Sequence, residues 1–313
     1  MSMSAVRIEN LRVWLKQRVA VKLLVLVALA LALSAIFFRD FWSSLSVMLS
    51  TGWTFWQGHV APWGVLALCL LFLWLKRKVV RAQMSRGTNP AYALLGLVVL
   101  AAAILIPFPQ DFLVFQVLLA SLGLFIIIFG AASRVPAICL AIYALAISFP
   151  WLVERFAAGA YSRAAITPVM GLMTALGYPL QNQGQWISFT SSGGEQITVA
   201  VTAACAGPAT MGVFGALFAL MMLDMPLPPR RAAWTLLFGL VGTWFQSFIR
   251  IVFLLLVGYY FGGNALQTAH LWTGYIIFPL WFLLFAWVFL RQVKRPRAPW
   301  GSQPLSSMPA VGE

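Results

Sequence analysis

The chain has 313 residues, 62% of them hydrophobic and only 9% charged. A soluble domain carries about 25% charged residues, so a water-soluble fold of this size is excluded. The formal net charge is +14 and the pI is near 10.6; in so apolar a chain this reads as basic residues that orient membrane spans, not as nucleic-acid binding.

The first apolar run, Val19 to Phe38, is long for a secretory signal and leads into no small-x-small cleavage site, so it reads as a retained span. Eight runs approach span length, at roughly 19–38, 60–75, 91–106, 112–132, 137–153, 206–223, 232–257 and 271–290. The predicted fold class is therefore an all-α polytopic membrane protein of about eight transmembrane helices. Lys and Arg fall unevenly in the gaps between these runs. Seventeen of the 21 lie in one alternating set of gaps. Arg39, Arg155 and Arg163 lie in the other, and Arg250 sits inside a run. By the positive-inside rule both termini are cytoplasmic. The outer side then owns 39–59, 107–111, 154–205 and 258–270.

The segment 39–59 carries Trp42, Trp53 and Trp56, as an interfacial stretch does. The longest outer stretch, 154–205, is too apolar for a free loop. Its first half predicts an amphipathic or membrane-dipping helix. Its second half alternates through Trp186–Thr190, turns at Gly193-Gly194, and alternates again through Gln196–Val201, which predicts a short outer β-hairpin before the sixth span. Residues 1–294 read as one transmembrane domain. The proline-containing segment 295–313 reads as a disordered cytoplasmic tail.

There are three cysteines and two histidines. No CxxC occurs, so no closed zinc site can be drawn, and neither a metal nor a cofactor is expected. Cys69 and Cys139 lie inside apolar runs and read as small core residues. Cys205 is different: it stands where the hairpin meets the sixth span, ahead of Gly207, which permits close backbone approach, and Pro208, which favours a first helical turn. A thiol at a helix N-terminus is biased toward thiolate, although a buried small residue at a helix start would look the same.

Arg250 is the one strongly charged residue well inside a run. An arginine there costs about 2.5–3.5 kcal/mol on insertion scales and usually faces a bundle interior or a water-filled cavity. His270 opens the eighth run on the outer side; His59 competes with it but lies in the Trp-rich interfacial segment. A thiol, a guanidinium and an imidazole from three spans, all placed toward the outer half, supply nucleophile, oxyanion charge and acid/base. No Asp or Glu lies within a predicted span, which argues against an ordinary proton-coupled transporter.

The ordered trio Ala204-Cys205-Ala206-Gly207, Ser247-Phe248-Ile249-Arg250 and Ala269-His270-Leu271-Trp272-Thr273-Gly274 resembles the exosortase/archaeosortase family. The resemblance runs from about Ile187 to Phe285, within a family-like core of about 150–290. Ala206 stands where the family commonly has Ser, and Ser247 where it commonly has Asn. The resemblance implies a membrane cysteine protease with transpeptidase character, with Cys205, Arg250 and His270 as catalytic residues. It implies as partners exported proteins that end in a short motif, a hydrophobic helix and a basic tail, and a multi-pass location in the plasma (inner) membrane with the site facing the periplasm or exterior. Membrane lipid surrounds such a chain, and no nucleic acid is implied. Two other readings stay open from the residues: a non-enzymatic membrane subunit or exporter for an envelope polymer, and a membrane acyltransferase using Cys205. Glu195, beside the Gly-Gly turn, reads as a solvated carboxylate.

Overall fold

The computed structural model describes the backbone of residues 3–51, 53–84, 89–109, 112–201 and 207–293, with side chains throughout except at 3–18, 47–51 and 53–61. The predicted tail at 295–313 and residue Cys205 lie outside the described residues, as does the side chain of His59. The chain is mainly helical, with one three-stranded sheet, and each of the eight predicted runs falls largely on helix. Val19–Phe37, Leu113–Ala175 and Pro229–Gln292 are each long and apolar enough to cross a membrane. Pro62–Leu75, Pro90–Leu105 and Pro208–Asp224 are shorter apolar helices.

Two compact units divide the chain, one built from 1–60 and 66–144, the other from 61–65 and 145–313. The first contains α1 (Met3–Phe37), α2 (Arg39–Thr51), most of α3 (Trp53–Leu75), α4 (Arg77–Met84), α5 (Pro90–Leu105), α6 (Leu113–Phe129) and the start of α7 (Arg134–Leu152). Asn89 caps α5: its side chain accepts from the Ala91 N–H at 3.1 Å, and Pro90 fills the first turn, where no N–H is missed. Helices α5 and α6 meet through Gly96 and Gly123. A Cβ on Gly96 would lie 2.7 Å from the Gly123 carbonyl oxygen, the small-residue contact by which apolar helices approach in lipid. Gln116 on α6 donates to the Ala103 carbonyl of α5 at 2.8 Å. Cys69 and Cys139 are buried, and the Cys69 thiol donates to the Cys139 carbonyl at 3.5 Å.

The second unit begins as α7 passes through a π turn at Val153–Ala157 into α8 (Ala158–Ala175). Helix α8 buries Ser162, Ala165, Ile166, Val169 and Met173, spaced three and four apart as a one-faced helix requires. The sheet follows, with β1 (Leu180–Gln183), β2 (Trp186–Thr190) and β3 (Gln196–Ala200) in the order β1-β2-β3, antiparallel throughout. Strands β2 and β3 are those the alternation predicted. Strand β1 is an addition: Gln183 pairs with Trp186 across a two-residue turn. Gly184 has φ 71° there, and no non-glycine residue among the described residues has positive φ, so the turn is of the type II′ class that matches strand twist. Ile187, Phe189, Ile197 and Val201 form the buried face of the sheet. They share a core with α8 and with Ile251 and Leu255 of α10 (Pro229–Gln292).

Helix α10 follows α9 (Pro208–Asp224) and is two arms, not one rod. Gly262 has φ 84° and ψ 178°, which breaks it into 229–261 and 263–292. The arms fold back on each other through three polar rungs that straddle the break nearly symmetrically. Thr235 donates to Gln292 at 2.8 Å, the Trp281 indole to Thr243 at 3.0 Å, and Arg250 to the His270 carbonyl at 3.2 Å. The segment 258–270, predicted as an outer gap, is helical except at Gly262. Its Ala, Leu and Gln residues favour helix, and the Gly-Gly pair confines the reversal to one residue.

Candidate active site

The first arm of α10 runs on to Phe261, so Arg250 stands about 16 Å below its end at helical rise. Its guanidinium does not reach out along the helix. It crosses to the second arm, donates through Nη2 to the His270 carbonyl, and lies 5.4 Å from the centre of the Phe278 ring. His270, Gly274 and Phe278 follow one another at intervals of four residues and so present one stripe. A Cβ on Gly274 would come within 3.9 Å of the guanidinium carbon. The aromatic face and the carbonyl dipole both favour the cation, which is how a charge persists within an apolar hairpin.

Arg250 and His270 line one small cavity of about 40 Å³, walled by Val199, Ala200 and Val201 at the end of β3 and by Leu254 and Leu266 of α10. That is room for two or three waters. Two of the three residues singled out in the sequence are thus brought together, on facing arms. The strand that forms the wall is the one that runs toward the third.

Beyond the undescribed 202–206, the chain continues at Gly207 with φ 99°, a left-handed conformation, and Pro208 starts α9. A Cβ on Gly207 would strike the hydroxyl of Ser247, which is buried on the first arm one turn before Arg250. The Gly207 carbonyl accepts from the Met211 N–H at 3.1 Å and the Thr210 hydroxyl at 2.6 Å. Glycine is needed at this position twice, for its φ and for the space.

Glu195 is exposed, as its reading as a solvated carboxylate expects, and it has a further contact. Its carboxylate accepts from the Gly263 N–H at 3.0 Å and so caps the second arm of α10. The same turn serves the first arm: the Ser192 N–H donates to the Tyr259 carbonyl at 2.8 Å. Within the turn, the Ser191 hydroxyl accepts from the Glu195 N–H at 3.0 Å and the Ser191 N–H donates to the Glu195 carbonyl at 2.8 Å. A helix break leaves carbonyls orphaned on one side and N–H groups on the other. The hairpin tip supplies a partner to each. Only the pairing of an acidic residue at a hairpin turn with a downstream Gly-Gly could have signalled this contact.

The fold and this cavity define a class: a multi-pass helical membrane protein that carries a guanidinium and an imidazole side chain in one cavity between two helical arms. The family model of the transmembrane exosortases matches residues 53–287, and the chain belongs to that family. The match begins well before Ile187, where the sequence resemblance starts, and so takes in α3 to α8 as well. No curated protein and no solved structure matches the chain.

Proposed function

We propose that the protein is a cysteine-dependent peptidase, or transpeptidase, that acts at the outer face of the membrane on exported proteins with C-terminal sorting signals. The observation that carries this reading is the shared cavity of Arg250, His270 and the end of β3. Covalent reach supports the inclusion of Cys205. It stands four residues after Val201 and two before Gly207, which holds its Cα within about 7 Å of the Gly207 Cα. Gly207 packs on Ser247, and Arg250 follows about 4.5 Å along the same helix.

In the proposed reaction the Cys205 thiolate attacks the scissile carbonyl carbon. The oxyanion so formed is stabilised by the Arg250 guanidinium. Collapse breaks the C–N bond and leaves a thioester on Cys205, and protonated His270 gives its proton to the departing amine. Neutral His270 then takes a proton from water or from an acceptor amine, which attacks the thioester carbonyl and expels the Cys205 thiolate, restoring the starting thiolate and protonated His270. Water gives cleavage and an amine gives transfer. The uneven distribution of Lys and Arg supports cytoplasmic termini and an outward cavity, and a substrate with a basic tail would share that orientation and present its motif at the same level.

The test is intact-mass analysis after incubation with a recombinant protein ending in a short motif, a hydrophobic helix and a basic tail. The expected outcome is a substrate-derived adduct on the wild type that maps to Cys205 and is absent from Cys205→Ala. Full turnover by Cys205→Ala would refute the mechanism. If neither protein forms product, the exporter or scaffold reading gains.

A further inference from the structure

We infer that Glu195 is a positioning residue for His270, an inference that rests on the catalytic reading above. Two arms leave the Glu195 contact and meet again at the cavity. One is β3, which runs directly from Glu195 through Gln196–Ala200 to the wall residue Val201. The other starts at Gly263, whose N–H the Glu195 carboxylate accepts, and climbs the second arm of α10 for seven residues to His270. Seven residues are nearly two whole turns, so His270 lies on the side of the helix that carries Gly263. The Glu195 to Gly263 hydrogen bond is the non-covalent link that joins the two paths at their start.

That link fixes the register between the strand leading to the thiol and the helix bearing the imidazole. The three rungs hold the arms together farther along, and the Glu195 link fixes the start of the second arm beside the left-handed Gly262. Glycine spares the carboxylate at both neighbouring positions: a Cβ on Gly262 or Gly263 would lie 2.8 or 2.9 Å from its oxygens. Gly258 similarly admits Phe189 of the hairpin, whose ring would lie 3.0 Å from a Cβ there. The hairpin tip is therefore seated against both sides of the break.

Reach, not charge, is the property required, and this separates a positioning role from a general electrostatic one. Glu195→Gln keeps an acceptor oxygen at the same reach, whereas Glu195→Asp keeps the charge one methylene short. Full-length protein in lipid nanodiscs is compared as wild type, Glu195→Gln, Glu195→Asp and Glu195→Ala. The first readout is hydrogen exchange of the segment 259–270 without substrate. The second is turnover of the recombinant sorting-signal protein used above. In Asp and Ala variants the segment should exchange about tenfold faster, and kcat should fall by about 10²-fold, as for a small misplacement of a reacting group. KM should change by less than about twofold, and Gln should restore both readouts. Cys69 and Cys139 report on folding, because both are buried and should stay unreactive to maleimide. If Ala fails that check, the Asp and Gln pair still decides. Unchanged exchange in the Asp variant overturns the inference, as does faster exchange with wild-type kcat. An absence of Cys205-dependent turnover in wild type overturns the catalytic reading instead, while exchange still judges the Glu195 contact.

Discussion

The α5/α6 pair and the α10 hairpin solve the same problem by different means. Each brings two apolar helical segments together. In α5/α6 the contact is a glycine seam with one amide, Gln116, donating to a neighbouring carbonyl. In α10 the arms are linked by a hydroxyl, an indole and a guanidinium, and the break is covered by a strand turn. The first arrangement suits association in lipid, where small residues allow close packing. The second holds polar groups at defined places along an apolar hairpin, and that is what a reaction centre needs. The cysteines divide the same way: Cys69 and Cys139 are buried among helices of the first unit, while Cys205 lies on the segment joining β3 to α9.

The sharpest break in that comparison is between cysteines. Cys205→Ala should lower turnover by at least about 10⁴-fold, as loss of a nucleophile does, when product is followed by mass. Cys69→Ala should leave kcat unchanged and alter only thermal stability. Next comes the seating of the hairpin. Phe189 is buried against α10, and Phe189→Ala should destabilise the protein by about 3–5 kcal/mol in denaturant titrations. Leu24→Ala, at a residue 71% exposed, should shift stability by less than about 0.5 kcal/mol.

Arg250→Lys tests whether a cation alone suffices. A lysine cannot offer the planar fork that bonds a carbonyl and faces Phe278 at once, so kcat should fall by about 10²–10³-fold, as on loss of one oxyanion donor. A smaller effect than these concerns the middle rung of α10. Thr243→Val removes the acceptor of the Trp281 indole and should cost about 0.6 kcal/mol, and at most about 1.7. A larger loss would show that the rungs act together.

Much of this organisation can be read from the chain. The alternation in Trp186–Thr190 and Gln196–Val201 marks β2 and β3 because one face of each is buried. The helical runs are visible because lipid demands long apolar stretches. Arg250 stands out because a charge within such a stretch is costly. Strand β1 is not visible, since Leu180-Gln181-Asn182-Gln183 is held by pairing with β2 and has no buried alternation of its own. The contact of Glu195 is not visible either, because its partner Gly263 is 68 residues away, and local composition says nothing about such a partner. The helicity of the gap at 258–270 is likewise not visible in the apolar runs on either side of it, since a cap 68 residues upstream and one glycine are what shape it.

The three rungs of α10 also constrain how relatives of this chain can vary in length. Each inserted or deleted residue turns a helix by about 100° and moves it about 1.5 Å. A single indel between Thr235 and Arg250, or between His270 and Gln292, would therefore leave at least one rung facing away from its partner while others stayed in place. Insertions within the hairpin should be confined to the Gly262 reversal, and even there they would have to keep Gly263 within reach of Glu195. Length differences among functional homologues should then collect before Pro229 and after Gln292.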